Sequence, residues 1–131
     1  MVHLTMTPPT AEEFAALYAS TGWGERSAQE LAAALAGSWV VCSARDDAGA
    51  LVGMGRLISD GVLHAFVTEL IVATDARGNG AGALILEALV QESRRRGVED
   101  VQLFAARGRT AFYERNGFTP RPADGPGMDL A

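Results

Sequence analysis

The sharpest chemical signal in the chain is Arg77-Gly78-Asn79-Gly80-Ala81-Gly82, continued by Ala83. An apolar run precedes it. Behind it, Leu84, Ile85, Ala88 and Leu89 recur at helical spacing. A segment in that position opens a helix, and a helix N-terminus presents unpaired N–H groups and about half a positive charge, which together bind anions. Glycines let the backbone approach a phosphate with no Cβ in the way, and Arg77 adds a fixed fork of donors. The plain alternative is a flexible turn before a helix; the glycine density beside an arginine favours phosphate. Gly78–Ala83 also satisfies the relaxed dinucleotide fingerprint, but that motif belongs after the first strand of a βαβ unit with an acid ending the next strand. Here the next strand, Val101–Ala105, ends in alanines and Asp100 sits at its wrong end. The chain has no lysine for a P-loop. Nicotinamide and nucleoside triphosphate both fit poorly.

Two further side chains have chemistry in reach. Strict alternation along Val62–Ala73 sets Glu69 beside Ala65, Val67, Ile71 and Ala73, a carboxylate among apolar neighbours. Burial without a partner raises a carboxyl pKa and makes a base for neutral pH, or an anchor for a substrate amine. A structural ion pair with an arginine such as Arg56 is the other reading. Tyr113, in Ala111-Phe112-Tyr113-Glu114-Arg115-Asn116-Gly117-Phe118, is a weak acid suited to protonating a leaving thiolate; taken alone it reads first as packing. Cys42 lies inside an apolar strand and reads as a small hydrophobe. His3 and His64 stand far apart with no accompanying cysteines, so no metal site is expected.

The elements that must position these residues follow from capping and periodicity. Val2–Thr5 reads as a short strand. Thr10 caps a helix with Glu12 and Glu13 in its first turn and Phe14, Leu17 and Tyr18 on one face. Gly22-Trp23-Gly24 breaks it. Ser27 and Glu30 form a capping box for a second helix, with Leu31, Ala34 and Leu35 as its stripe, ended by Gly37. Trp39–Ala44 and Leu51–Ile58 flank an Asp46-Asp47-Ala48-Gly49 turn and read as a hairpin. Val62–Ala73 is apolar on both faces, so it belongs mid-sheet under helices. A helix to about Arg96, the strand Val101–Ala105, a short helix Thr110–Asn116 and a tail with one or two short strands complete the order. That strand runs parallel to Val62–Ala73 because a helix joins them. The reading is β-α-α-β-β-β-α-β-α-β, one α/β domain with a mixed sheet over residues 1–131.

Composition narrows the function. At 131 residues, 48% hydrophobic and 21% charged, the chain is an ordinary globular domain. A net charge of −5 argues against nucleic-acid binding and leaves a local basic spot for one anion. The single cysteine points to a reducing cytosol. Met1–Thr10 lacks the pattern of a signal peptide, and no apolar run is long enough to span a membrane, so a cytoplasmic location is expected.

The Arg77–Gly82 motif, the Glu69-Leu70-Ile71-Val72 strand before it and the Phe112–Phe118 segment after it together resemble the GNAT superfamily of acyl-CoA N-acyltransferases. The resemblance implies a mostly antiparallel sheet with helices on both faces and a splayed pair of parallel central strands. Acetyl-CoA would lie in the gap, its pyrophosphate on the amides of Arg77, Gly78, Asn79, Gly80, Ala81, Gly82 and Ala83. Its pantetheine would pair with the backbone of Leu70, Ile71 and Val72, and the amide near Val72 would polarise the thioester. Tyr113 matches the tyrosine that protonates the departing thiolate, Glu69 the position of a catalytic acid, and Tyr18 and Trp23 the acceptor pocket. Leu17-Tyr18, Gly22-Trp23, Gly53-Met54-Gly55-Arg56 and Gly127-Met128 are similar to small bacterial members and to the plastid serotonin N-acetyltransferase type.

The expectation is an acetyl-CoA-dependent N-acetyltransferase acting on a small primary amine, an arylalkylamine by the hint of Tyr18 and Trp23, by direct transfer in a ternary complex. A homodimer is in keeping with the family. The rival readings are an acetyl-CoA-binding sensor and an enzyme acting on a protein or an aminoacylated tRNA.

Overall fold

Local signals start both early helices where the side chains cap them. In the computed structural model, which describes residues 1–131, α1 (Ala11–Ala19) opens on a reciprocal capping box between Thr10 and Glu13, and α2 (Ala28–Ala36) on another between Ser27 and Glu30. Each box satisfies two orphan donors of the first turn. The strands are β1 (His3–Thr5), β2 (Val40–Arg45), β3 (Leu51–Ser59), β4 (Ala65–Val72) and β5 (Val101–Leu103); α3 (Ala81–Arg95) joins β4 to β5, and α4 (Thr110–Arg115) follows. The sheet is five-stranded in the order β1-β2-β3-β4-β5. Only β4 and β5 run parallel. No helix is long and apolar enough to cross a membrane.

Each face of the sheet has its own core. On one, Val40, Cys42, Ala44, Leu57, Ala65 and Val67 meet Ile85, Leu86 and Leu89 of α3, with Val98. On the other, Val41, Met54 and Ile71 meet Phe14, Leu17 and Leu31 of α1 and α2. Burying a leucine or phenylalanine side chain contributes roughly 1.5–3 kcal/mol, so these two layers hold the fold. The contact with α3 is close because β3 carries glycines beneath it. A Cβ at Gly53 would stand 2.9 Å from Ile85 Cδ1, and one at Gly55 2.9 Å from Leu89 Cδ1.

β4 departs from simple alternation. Arg56 pairs with Thr68 but Met54 with Ile71, so Glu69 and Leu70 together oppose Gly55 in a β-bulge. Glu69 has φ 47°, a left-handed conformation that L-residues other than Asn and Asp rarely adopt. The extra residue exchanges the faces: Ala65 and Val67 lie in the α3 core, Ile71 in the α1–α2 core. Glu69 therefore does not sit beside Ala65, Val67 and Ile71 on one apolar face, and the strict alternation read from the sequence is corrected. The strand also begins at Ala65 rather than Val62. Asp60 accepts the N–H groups of Val62 and Leu63 and folds them into a turn, where they are 71% and 63% exposed.

The parallel pair is short. Ala65, Phe66 and Val67 match Val101, Gln102 and Leu103, and no pairing continues beyond them although β4 runs on to Val72. The two strands thus part at their C-terminal ends. The tail after Phe118 forms no strand, contrary to the sequence reading, and rests in part on Phe104, where a Cβ at Gly127 would come within 2.6 Å of the ring. With no strand beyond it, β5 is the edge of the sheet, so the parallel pair lies at the border and not at the centre.

Candidate active site

Where β4 and β5 part, a cleft of about 790 Å³ opens. Its first wall is the end of β4, Leu70, Ile71 and Val72. The second is the start of α3 with its preceding loop, Arg77, Gly78 and Gly80 to Ala83; the third is Ala106 with the inner side of α4. Thr21 and Trp23 reach in from the loop between α1 and α2.

The α3 wall is built to take an anion. Gly80 caps the helix with φ 82° and Gly78 has φ 89°, conformations that glycine adopts without a Cβ penalty. The first helical bond runs from Leu84 N–H to Gly80 O at 3.1 Å. The N–H groups of Ala81, Gly82 and Ala83 therefore have no partner within the helix. No side chain caps them. Arg77 is held at the rim, its Nε donating to Val72 O at 3.3 Å. Arg109 and Arg115 face the same space from the α4 side, and no carboxylate lines it. A protein of net charge −5 has gathered three arginines around one cavity.

The β4 wall supplies a further donor. Ala73 N–H donates to Val52 O at 2.8 Å, which marks that residue pair as hydrogen-bonded across β3 and β4. In an antiparallel ladder the neighbouring residue points its own N–H and C=O the other way. Val72 N–H is thus directed into the cleft, where β5 does not follow to take it.

Tyr113, on α4, lines the cleft beside Phe112. Its ring is half-buried, edge-on to Phe112 at 5.0 Å and to Phe118 at 6.1 Å between centroids. Burial pushes the phenol above its ordinary pKa of 10.0, and the Arg109 charge opposes that rise. The group stays protonated across the neutral range, as a proton donor must.

The other sequence candidates divide. Leu70, Ile71, Val72, Arg77, Gly78, Gly80, Ala81, Gly82, Ala83, Trp23 and Tyr113 all line the cleft; Asn79, Tyr18 and Glu69 do not. Tyr18 stands behind Trp23 at 5.9 Å, edge to face, and supports it rather than facing the cavity. Glu69 is paired: Arg56 Nε donates to its Oε1 at 2.7 Å, with the two side chains only 13% and 20% exposed. The same guanidinium donates from Nη1 to Ser38 Oγ at 3.1 Å, tying β3, the bulge and the end of α2 together. Of the readings open in the sequence, the ion pair with Arg56 is the one formed. Cys42 is buried in the α3 core, and burial pushes its thiol up to about 11, so it is no nucleophile. His3 pairs with Asp47 and His64 with Asp100, at separate places on the surface.

Sequence reasoning missed Thr21, Ala106, Arg109, Phe112, Arg115 and Asn116. The signal available was the arginine spacing after β5, at Arg107, Arg109 and Arg115, which places charges on both sides of Tyr113.

A sequence model described as the Acetyltransferase (GNAT) family matches residues 6–118. Serotonin N-acetyltransferase 2, chloroplastic, of Oryza sativa subsp. japonica is 33% identical over 109 residues, covering 81% of this chain and 54% of that protein. A Glycine max protein named histone acetyltransferase TAP1 is 30% identical over 123 residues, covering 86% of this chain and 53% of its own length. The chain thus spans about half the length of these curated relatives. Among solved structures, a protein of unknown function and probable acetyltransferase, SA2161 of meticillin-resistant Staphylococcus aureus, superposes with a TM-score of 0.88 at 26% identity, covering 100% of this chain and 99% of that one.

Proposed function

The chain belongs to the Acetyltransferase (GNAT) family, and on that premise we propose that it transfers an acetyl group from acetyl-CoA to a primary amine. One observation carries the reading: the cleft between the parted strands joins free helix amides, three arginines and a β4 amide with no carboxylate among them. That donor set fits a thioester of an acyl chain joined to a diphosphate. When bound, acetyl-CoA supplies an activated acyl carbon.

The residues divide the work by position. The amides of Ala81, Gly82 and Ala83, with Arg77, hold the diphosphate. Leu70 offers its free backbone edge to the pantetheine amides. Val72 N–H faces the thioester carbonyl and stabilises the oxyanion, a contact of the kind worth roughly 3–4 kcal/mol in other enzymes. Tyr113 gives its proton to the sulfur as the carbon–sulfur bond breaks. No cysteine or serine lines the cleft and the Cys42 thiol is buried away from it, which supports direct transfer over a covalent acyl-enzyme.

Glu69 takes the proton of the attacking amine through water, with Arg56 fixing one carboxylate oxygen and leaving the other. Trp23, 50% exposed and braced by Tyr18, forms the acceptor end and fits a flat arylalkylamine. The rice relative's name is in keeping with that class. A protein lysine is the second reading, favoured by the name of the Glycine max relative.

The test is release of CoA thiol from acetyl-CoA with arylalkylamines, polyamines, aminosugars and lysine peptides as acceptors. Saturable release with an arylalkylamine is expected. Release with lysine peptides alone transfers the reading to a protein acceptor, and no release with any acceptor, despite CoA binding, leaves a sensor.

A further inference from the structure

Tyr113 has a basic neighbour at the start of its helix. Arg109 stands at the N-cap of α4, and Tyr113 lies four residues on, its N–H donating to Arg109 O at 3.3 Å. Arg109 lies just outside the helix, with φ −108° and ψ 0°, one turn before Tyr113. Both line the cleft. Arg26, Arg45, Arg56, Arg94, Arg95 and Arg96 each pair with a carboxylate. Arg109 pairs with none, so its charge is available to whatever lies in the cavity.

We propose that Arg109 is a positioning residue for Tyr113: it faces the phenol across one helical turn and holds the negative charge that Oη acquires when its proton leaves. This rests on the acetyl-transfer reading. In the step concerned, the carbon–sulfur bond breaks with its electron pair going to sulfur. The Tyr113 proton passes to that thiolate, and the phenolate left behind is reprotonated from solvent. For that moment the site holds a tyrosinate in a half-buried setting, where an unpaired anion is costly. A guanidinium four residues away, at the N-cap of that helix, lowers that cost.

Other charges face the ring. Arg77 and Arg115 share the cleft with it. The groove behind it is lined by Arg94 and Arg121 and by Glu99, Asp100 and Glu114, bases and acids in near balance. Arg109 is the charge that acts on the phenol, in the direction that favours the tyrosinate.

The experiment is a double-mutant cycle joined to a titration. Arg109→Met is expected to lower kcat roughly tenfold, beyond any change in CoA affinity, while Arg109→Lys keeps most of the rate. In a Tyr113→Phe background the same substitution is expected to cost nothing further, because two residues that act as one unit are non-additive. An equal loss in both backgrounds, or weakened CoA binding at unchanged kcat, would make Arg109 a phosphate contact and overturn the proposal.

The second arm needs no turnover. The chain has two tyrosines, so a Tyr18→Phe background leaves Tyr113 as the only phenol to titrate by tyrosinate absorbance. Arg109→Met is expected to raise the midpoint. Arg107→Gln, which removes the same charge from a residue outside the cleft wall, is expected to leave it in place. A midpoint indifferent to Arg109→Met overturns the proposal even if the chain acetylates nothing. A midpoint that moves in an inactive protein upholds the coupling and counts against the acetyl-transfer reading alone.

Discussion

The two halves of β4 are made of similar residues and do different things. Before the bulge, Ala65–Val67 is hydrogen-bonded to β3 on one side and β5 on the other. After it, Leu70–Val72 keeps β3 and loses β5. An interior strand needs both edges satisfied, so the first half is structural. The second half has one backbone edge left over, and that edge lies in the cleft. A strand frees a backbone edge here by outrunning its partner, with no change in composition.

The largest test of this contrast acts on the paired half. Leu89→Ala empties the core that Ala65 and Val67 share with α3. It is expected to cost about 2–5 kcal/mol, read as a fall in the thermal midpoint. If the parted half is as separable as the geometry suggests, CoA affinity measured well below that midpoint changes little.

Tyr113→Phe acts on the other half. Turnover is expected to fall about a hundredfold or more with CoA affinity kept. The wild-type pH profile sharpens the point. Burial raises the folded phenol above 10.0. The proton is therefore in place throughout the neutral range, and the rate falls only as pH climbs through that raised value. Loss of rate already near pH 8 would implicate a different acid.

Glu69→Gln tests which half the bulge belongs to. About tenfold loss of kcat, with the melting temperature within a few degrees of wild type, places the carboxylate with the chemistry. Unchanged turnover with a lower midpoint places it with the scaffold, as a clamp on Arg56.

The smallest effect is far from the cleft. Arg45 donates to both Glu13 carboxylate oxygens and holds that carboxyl at about 2, against an ordinary 4.5. The folded value is depressed, so the contribution is present above pH 4.5 and lost as pH falls toward 2. Glu13→Gln keeps the capping box that a glutamine also supports, and is expected to cost about 0.5–1 kcal/mol at pH 7. The difference from wild type should narrow steadily as pH falls from 4.5 toward 2.

What was legible in the sequence was local. Thr10 and Ser27 announce their helices because a cap is a matter of three residues. Gly78 and Gly80 announce the α3 turn because only glycine takes those angles freely. The bulge was not legible, since it is a property of how β3 and β4 match and shows only when Thr68 and Ile71 are found opposite Arg56 and Met54. That non-local fact moved Glu69 from an apolar face to a partner. Arg109 was missed because its cleft is closed by elements widely separated along the chain. The resemblance sets Tyr18 in the acceptor pocket beside Trp23, but in the fold it stands behind that ring, an order a family match does not resolve.

Gly53 and Gly55 form the seat on which α3 lies. With a Cβ at either position meeting α3 side chains at 2.9 Å, the helix has a fixed distance from β3 and so does its amide-bearing end. On the proposed reading, a diphosphate would meet donors already in place there. Calorimetrically, CoA association is then expected to be enthalpy-led, with a heat-capacity change no larger than the apolar area the ligand covers and no added term for ordering the chain.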